Sequence, residues 1–368
     1  SPPNHAMLYL VQPLTSNLEP LTAHMQPEVL KVLDDVLAAQ PVTADAMHHA
    51  VQAIMGGRCT PVETAALLTA LAVQGETPEI LAGAARAMRD RAAEIPTTRE
   101  GLLDTCGTGG DRLHTFNIST AAALVAAAAG APVAKHGNRG VSSSSGSCDV
   151  LEALGVKVDL SPEQVGRCID DIGIGFCFAR VMHTAMKHVA PVRMELGFRT
   201  VFNLLGPLTN PARAAHQIIG ASRIATAQRL AEAVVRLGTE RTLVVCGNDE
   251  LDEVSLWGTT TVFDVQGDQV QTEHWTASTF GLAECRVDQL HVKSPTESAD
   301  IIRAIFNNTA PPAQRDIVIA NAAAALLASG HVPTLKDGVT LAEGTITSGA
   351  AASKLTELVN WTTNPPTE

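Results

Sequence analysis

Between residues 104 and 155 short apolar runs alternate with glycine- or hydroxyl-rich loops and helical stretches, so the chain reads strand, loop, helix, strand, loop, helix. Repeated units of this kind build a mainly parallel sheet with helices packed on its faces. The first loop, Asp104-Thr-Cys-Gly-Thr-Gly-Gly-Asp111, carries Gly107, Gly109 and Gly110, which let backbone N–H groups come close to an anion. It runs through Thr115-Phe-Asn-Ile-Ser-Thr120 into an alanine-rich helix, so Asn117, Ser119 and Thr120 stand where free N–H groups and the positive dipole end converge. After the Gly130-Ala-Pro132 break come Lys135-His-Gly-Asn-Arg139, the serines 142–145 and a second helix expected to begin near Asp149. The spacing is neither that of a mononucleotide P-loop nor that of the dinucleotide G-x-G-x-x-G turn.

The net charge of −12 over 368 residues gives no general attraction for nucleic acid or an anionic membrane, so any anion binding has to be local. Seven cysteines without a C-x-x-C pair read as reduced thiols, and only Cys106, beside the glycine loop, invites a test of reactivity. The longest apolar run is too short and too alanine-rich for a membrane span, and no signal-peptide pattern opens the chain, so a cytoplasmic location is expected.

Apolar residues at helical spacing fill residues 27–94: Val29, Leu30, Val32, Leu33, Val36 and Leu37 form one stripe, and Met47, Val51, Ile54 and Met55 another. The helix from Val62 to Val73 is apolar on most sides and is expected to be deeply packed, with a subunit contact as one way of covering it. Past Leu102 the signals alternate, with strands expected at 132–134, 174–178, 216–220, 242–246 and 260–265. The fold class is therefore α/β: a small all-α domain at 27–98, then a larger domain at 99–181 and 206–362 with a mainly parallel sheet. Residues 1–26 read as an extension or tag, and 363–368 as a mobile tail.

Taken together, the glycine loop, Asn117-Ile-Ser-Thr120, Lys135-His-Gly-Asn-Arg139, Ala185-Met-Lys-His-Val189, Pro191-Val-Arg193, the run 199–211, Leu251-Asp-Glu-Val-Ser255 and Asn321-Ala-Ala-Ala-Ala-Leu326 resemble the anthranilate phosphoribosyltransferase family over roughly residues 28–360. The resemblance implies transfer of a phosphoribosyl group from phosphoribosyl pyrophosphate to the amine of anthranilate, in tryptophan biosynthesis, by a homodimer joined through the helical domain. It also implies that residues 182–205 return to that domain. Gly107, Gly109, Gly110, Asp111, Thr115, Asn117, Ser119, Thr120, Lys135 and Ser147 would bind the donor. Gly107, His136, Asn138, His183 and Arg193 would bind the acceptor, with Arg193 forking onto the carboxylate. Ser119, Asp252 and Glu253 would hold Mg²⁺, two ions per subunit, since adjacent carboxylates suit a hard cation. No residue is expected to act as a covalent or acid–base catalyst.

Read without the resemblance, Thr115 and Ser147 would be helix caps, Asp252-Glu253 an acidic surface loop, and Asp249 and Glu250 solvent-facing neighbours; Arg139 could equally tie its loop to the next helix. The chain departs from the family in having Arg112 where Gly commonly stands, Thr184 in place of Pro, and Cys148 in place of Ala. The alternatives are a pyrimidine nucleoside phosphorylase-like enzyme and a non-catalytic nucleic-acid-binding paralogue; the acidic charge and the retained carboxylate pair disfavour the latter.

Overall fold

The computed structural model describes residues 25–140 and 146–366; the serines 142–145 and the first 24 residues lie outside that range. The N-terminal helices are α1 (Pro27–Leu37), α2 (Ala44–Met55), α3 (Pro61–Gln74) and α4 (Pro78–Asp90). Thr60 and Glu63 start α3 with a reciprocal cap: Glu63 N donates to Thr60 Oγ1 at 3.2 Å and Thr60 N to Glu63 Oε2 at 2.6 Å. The other oxygen of Glu63 accepts from Gln26 N, so one buried carboxylate also anchors the start of α1. Such a cap is worth about 1 kcal/mol.

Seven strands follow: β1 (Leu103–Asp104), β2 (Val133–Gly137), β3 (Ile174–Phe178), β4 (His216–Gly220), β5 (Arg241–Gly247), β6 (Thr260–Gln266) and β7 (Gln269–Trp275). They form one sheet in the order β3-β2-β1-β4-β5-β6-β7. β1 through β5 pair in parallel, while β6 and β7 add on antiparallel. β7 was not foreseen, because its residues 269–274 are exposed and show no alternation. The signal that marks it is Gly267-Asp268 between two seven-residue strands, with Gly267 at φ +59° in a two-residue hairpin turn.

The remaining helices are α5 (Ile118–Ala128), α6 (Ser147–Leu154), α7 (Pro162–Ile172), α8 (Ala179–Met182), α9 (Ala190–Leu196), α10 (Phe202–Leu205), α11 (Ile224–Leu237), α12 (Ala277–Phe280), α13 (Pro295–Phe306), α14 (Pro312–Ala328), α15 (Leu335–Thr347) and α16 (Ala350–Thr363). Alternating strand residues divide between two cores: Ile218, Leu243 and Val245 face α5 and α14, whereas Ile219, Val244 and Cys246 face α11 and, through it, the N-terminal helices. Val189, Val201, Phe202 and Leu205 join that second core.

Two packing expectations need correction. Leu37, Val62 and Val73 are not buried but 81%, 75% and 84% exposed, so the apolar positions of α1 and α3 extend past the face that the chain's own core covers. The C-terminal tail is held as far as Pro366, whose carbonyl accepts from Arg167 at 2.9 Å. Among the described residues no helix is long and apolar enough to cross a membrane.

Candidate functional site at the strand C-termini

The chain runs from β1 outward to β2 and β3 on one side, and from β4 to β5 on the other, so the loops after β1 and β4 meet where the direction of winding reverses. Such a switch point leaves a crevice at the strand C-termini. The glycine loop leaves β1 there, with Gly109 at φ +68° and Gly110 at φ +80°. Thr108 donates to Gly220 O at the end of β4 through both N (2.8 Å) and Oγ1 (3.2 Å). The loop after β5 arrives from above. Gly109 N donates to Asp252 Oδ2 at 2.7 Å, and Ser119 N, in the first turn of α5, donates to Glu253 Oε1 at 3.1 Å. A helix N-terminus and a glycine turn thus converge on the adjacent carboxylates.

Two glycines make that approach possible. A Cβ on Gly107 would stand 3.1 Å from Asp252 Oδ2, and one on Gly220 only 1.6 Å from Asp252 O. No side chain can be carried at Gly220 without displacing the acidic loop. Sequence reasoning passed over Gly220, although a glycine closing a strand at the switch point is a readable signal.

Asn117 is the N-cap of α5: its Oδ1 accepts from Thr120 N at 3.2 Å and from Thr120 Oγ1. Lys135, buried on β2, donates from Nζ to Thr105 O and Thr105 Oγ1, both at 3.0 Å, and to Ser119 Oγ at 3.4 Å. Thr115 is no cap; it pairs with His291 in an isolated bridge. Ser147 is no cap either, because Gly146 precedes α6 and the Ser147 hydroxyl donates to Asn138 O at 3.4 Å. Arg139 binds Glu152 through both Nη1 (2.6 Å) and Nη2 (2.8 Å), so it ties its loop to α6. Asp249 is exposed as expected, and its Oδ1 also accepts from Ile224 N at 2.7 Å, which ties down the start of α11.

Burial and then the neighbouring Asp111 push the Asp252 carboxyl above the usual range; burial and then Asp252 do the same to Glu253. Carboxylates that disfavour one another's charge, beside the Ser119 hydroxyl, form an all-oxygen donor set that a hard divalent cation would neutralise. The residues present fit Mg²⁺. A second group, Asp104, Cys106 and His136, also brings its donor atoms within 4.8 Å of one another. There, however, Asp104 accepts from His136 N (3.0 Å) and Asn210 Nδ2 (2.8 Å), and His136 Nδ1 meets Gly206 O at 2.9 Å, which makes it an internal network. Burial raises the Cys106 thiol far above its ordinary range, so it is not an activated nucleophile.

His136 and His183 are both buried, with ring centroids 5.1 Å apart. Because a carbonyl can only accept, His136 Nδ1 carries the hydrogen and Nε2, which has no partner, keeps a bare lone pair. Both nitrogens of His183 also lack a partner. Burial lowers His136 to about 3 and His183 to about 4; the Thr209 main chain opposes the His183 shift without reaching hydrogen-bond geometry. Arg193, on α9, lies over the Phe202 ring at 5.6 Å and donates weakly to Asn203 Oδ1 at 3.5 Å. The short stretch from Phe202 to Gly206 therefore braces both Arg193 and His136. Asn138 sits on the exposed loop after β2, where its Oδ1 accepts from Arg139 N at 2.8 Å.

Residues 99–352 match the family model for the α/β domain of a glycosyl transferase family, and residues 30–92 match that family's helical bundle domain. The chain is 48% identical over 329 residues to anthranilate phosphoribosyltransferase of Rubrobacter xylanophilus, covering 89% of this chain and 96% of the relative. Among solved structures, the Thermus thermophilus enzyme superposes with a TM-score of 0.85 at 42% identity, covering 90% of this chain and 99% of that one. The Saccharomyces cerevisiae enzyme in complex with phosphoribosyl pyrophosphate and Mg superposes with a TM-score of 0.84 at 28% identity, covering 92% and 99%. By descent and by fold, the chain belongs to the anthranilate phosphoribosyltransferase family.

Proposed function

We propose that the chain transfers the 5-phosphoribosyl group of phosphoribosyl pyrophosphate to the amine of anthranilate and releases pyrophosphate. The observation that carries this reading is the meeting of the glycine loop and the α5 N-terminus with Asp252 and Glu253 at the switch point. In such a transfer the bond from ribose C1 to the pyrophosphate oxygen breaks as the amine nitrogen arrives, so positive charge grows on the sugar and negative charge on the leaving group.

The donor lies among Gly107, Gly109, Gly110, Asp111, Thr115, Asn117, Ser119, Thr120, Lys135 and Ser147. Their amides, hydroxyls and one buried ammonium suit phosphate and ribose oxygens. Ser119, Asp252 and Glu253 would hold Mg²⁺, two ions per subunit, which would neutralise charge on the leaving pyrophosphate. The acceptor lies among Gly107, His136, Asn138, His183 and Arg193. Arg193 orients the carboxylate, and the bare His136 Nε2 accepts a hydrogen bond from the amine without competing for its lone pair. The two neutral imidazoles, in contact with each other at 5.1 Å between ring centroids, line the acceptor site without adding positive charge near C1.

The domain division places 182–205 with the helices of 27–98, a reading supported by the shared core of Val189, Val201 and Phe202. The exposed Leu37, Val62 and Val73 support a homodimer through that domain, and the cytoplasm is the compartment proposed for it. The test of function is the appearance of a fluorescent phosphoribosyl adduct from anthranilate and the donor. No product with Mg²⁺ present, or undiminished turnover in excess EDTA, would overturn the reading.

A further inference from the structure

The helix α14 is buried from Asp316 to Ala328, and within that stretch it carries one side-chain amide, Asn321, at 2% exposure. An isolated amide in an alanine-rich helix costs stability unless its donors and acceptor are all engaged, and here they are. Asn321 Oδ1 accepts from Val254 N at 2.9 Å, and Nδ2 donates to Val254 O at 2.9 Å and to Ile317 O, one turn back, at 2.9 Å. The planar amide thus pairs with both main-chain groups of Val254, as a neighbouring strand would.

Val254 directly follows Asp252 and Glu253. On one side the Asp252 carbonyl rests on the bare Cα of Gly220. On the other, Ser255 N donates to Thr260 Oγ1 at 2.9 Å, and Asn248 Nδ2 donates to Ser255 Oγ at 3.1 Å and to Trp257 O at 2.6 Å. The loop is pinned before and after Glu253, and the pin at Val254 is the one made by a distant helix, 67 residues away.

We propose that Asn321 is a positioning residue that sets the aim of Asp252 and Glu253 toward the donor site. The inference rests on the reading of those carboxylates as the metal-holding pair. Without the amide, Val254 can rotate its peptide groups toward other partners, and the preceding carboxylates turn with them. Asn321→Asp keeps an acceptor for Val254 N but loses both donors and sets lone pairs against two carbonyls; Asn321→Leu removes all three bonds at similar size.

The test combines calorimetric binding of Mg²⁺ plus phosphoribosyl pyrophosphate with steady-state kinetics for both variants and for Leu326→Ala, a buried position on the same helix that makes no bond to the loop. Expected is a donor Kd at least tenfold weaker for the Asn321 variants with the anthranilate KM within twofold, while Leu326→Ala lowers Tm and leaves the donor Kd unchanged. A donor Kd unmoved by Asn321→Asp and Asn321→Leu, or moved equally by Leu326→Ala, overturns the proposal. Should neither Asn321 variant fold, hydrogen exchange in the wild type decides: the Val254 amide is expected to exchange as slowly as the β5 core, and exchange as fast as the exposed loop at Asp249 refutes the pin. The Asp252→Asn, Glu253→Gln double variant separates the two readings. If it binds the donor with Mg²⁺ as the wild type does, the metal assignment itself fails; if it does not, and the Asn321 variants do, only the positioning role fails.

Discussion

Acidification from pH 7 to pH 5 should destabilise this protein through two side chains, His136 and His183. Each is 3% exposed, and burial lowers them to about 3 and about 4 respectively. An unfolded histidine titrates near 6.5, so between pH 6.5 and about 4 the unfolded chain takes up protons that the folded chain refuses. The sign follows: the stability these residues permit is fully present above pH 6.5 and is lost as pH falls below it. At pH 5 each unfolded imidazole is almost fully protonated and each folded one neutral, which amounts to about 1.4 pK units per residue after allowing for partial protonation at pH 7. Two residues at 1.36 kcal/mol per unit give about 4 kcal/mol. Asp104, raised to about 6 chiefly by burial, acts over the same range with the opposite sign, while lowered carboxylates such as Asp170 act with the same sign, so total stability does not isolate the histidines. The comparison that does is wild type against His136→Asn, His183→Asn, in which the amide can replace His136 Nδ1 as donor to Gly206 O. Denaturant melts of both at pH 7 and pH 5 should show the wild type losing about 4 kcal/mol more than the double variant. Equal losses within about 1 kcal/mol would mean that the rings are hydrated or charged in the folded protein, and the neutral imidazole pair would have to be abandoned.

Four further outcomes are expected. Asp252→Asn with Glu253→Gln should lower kcat by about 10²-fold or more across a Mg²⁺ titration while leaving the fold intact by circular dichroism. Arg193→Ala should raise the anthranilate KM by roughly tenfold, on the scale of a charge-assisted hydrogen bond, with the donor KM little changed, and Lys135→Ala should show the reverse in a two-substrate kinetic matrix. Arg112, exposed and at φ +63°, occupies a backbone conformation that favours glycine, so Arg112→Gly should stabilise by about 0.5–1 kcal/mol in denaturant melts. Replacing Val62 and Val73 by Asp should convert a dimer to monomer in sedimentation velocity with little change in the helical core, since both side chains lie outside it.

Much of the candidate site was legible because its parts are local. A glycine turn, an Asn cap and a cation on the following strand all fall close together in the chain, and their chemistry depends on backbone conformation that neighbouring residues impose. What escaped was set by distance along the chain. Gly220 matters only because Asp252 lies over it, and Asn321 looks like an interruption in an alanine helix until Val254 is placed against it. Ser298 Oγ accepts from Asn117 N across 181 residues, and no local pattern marks it. The fold was misread where polarity hid structure: β7 is an edge strand, exposed from 269 to 274, that is held by its hydrogen bonds to β6 and by the one buried side chain of Trp275. The chain itself covers α3 on only one face, at Leu67, Leu68 and Leu71, since apolar composition says that a face will be covered but not by which chain.

The sheet order also constrains how the chain can be made. β1 contributes two residues and stands third in the order, paired with β2 through Leu103 and Val133 and with β4 through His216 and Gln217. As the polypeptide leaves the ribosome, everything up to β3 can assemble only half a sheet, with the two-residue β1 as its raw edge. That half lacks the β4 and β5 partners and the α14 layer that close its core, all of them still to be synthesised. Sheet closure therefore waits for late translation, and a stall between β3 and β4 would hold an unpaired strand edge open to a second nascent chain. In this protein the same seam that gathers the loops stays open until β4 has been made, and over that interval it is a place where assembly can go wrong.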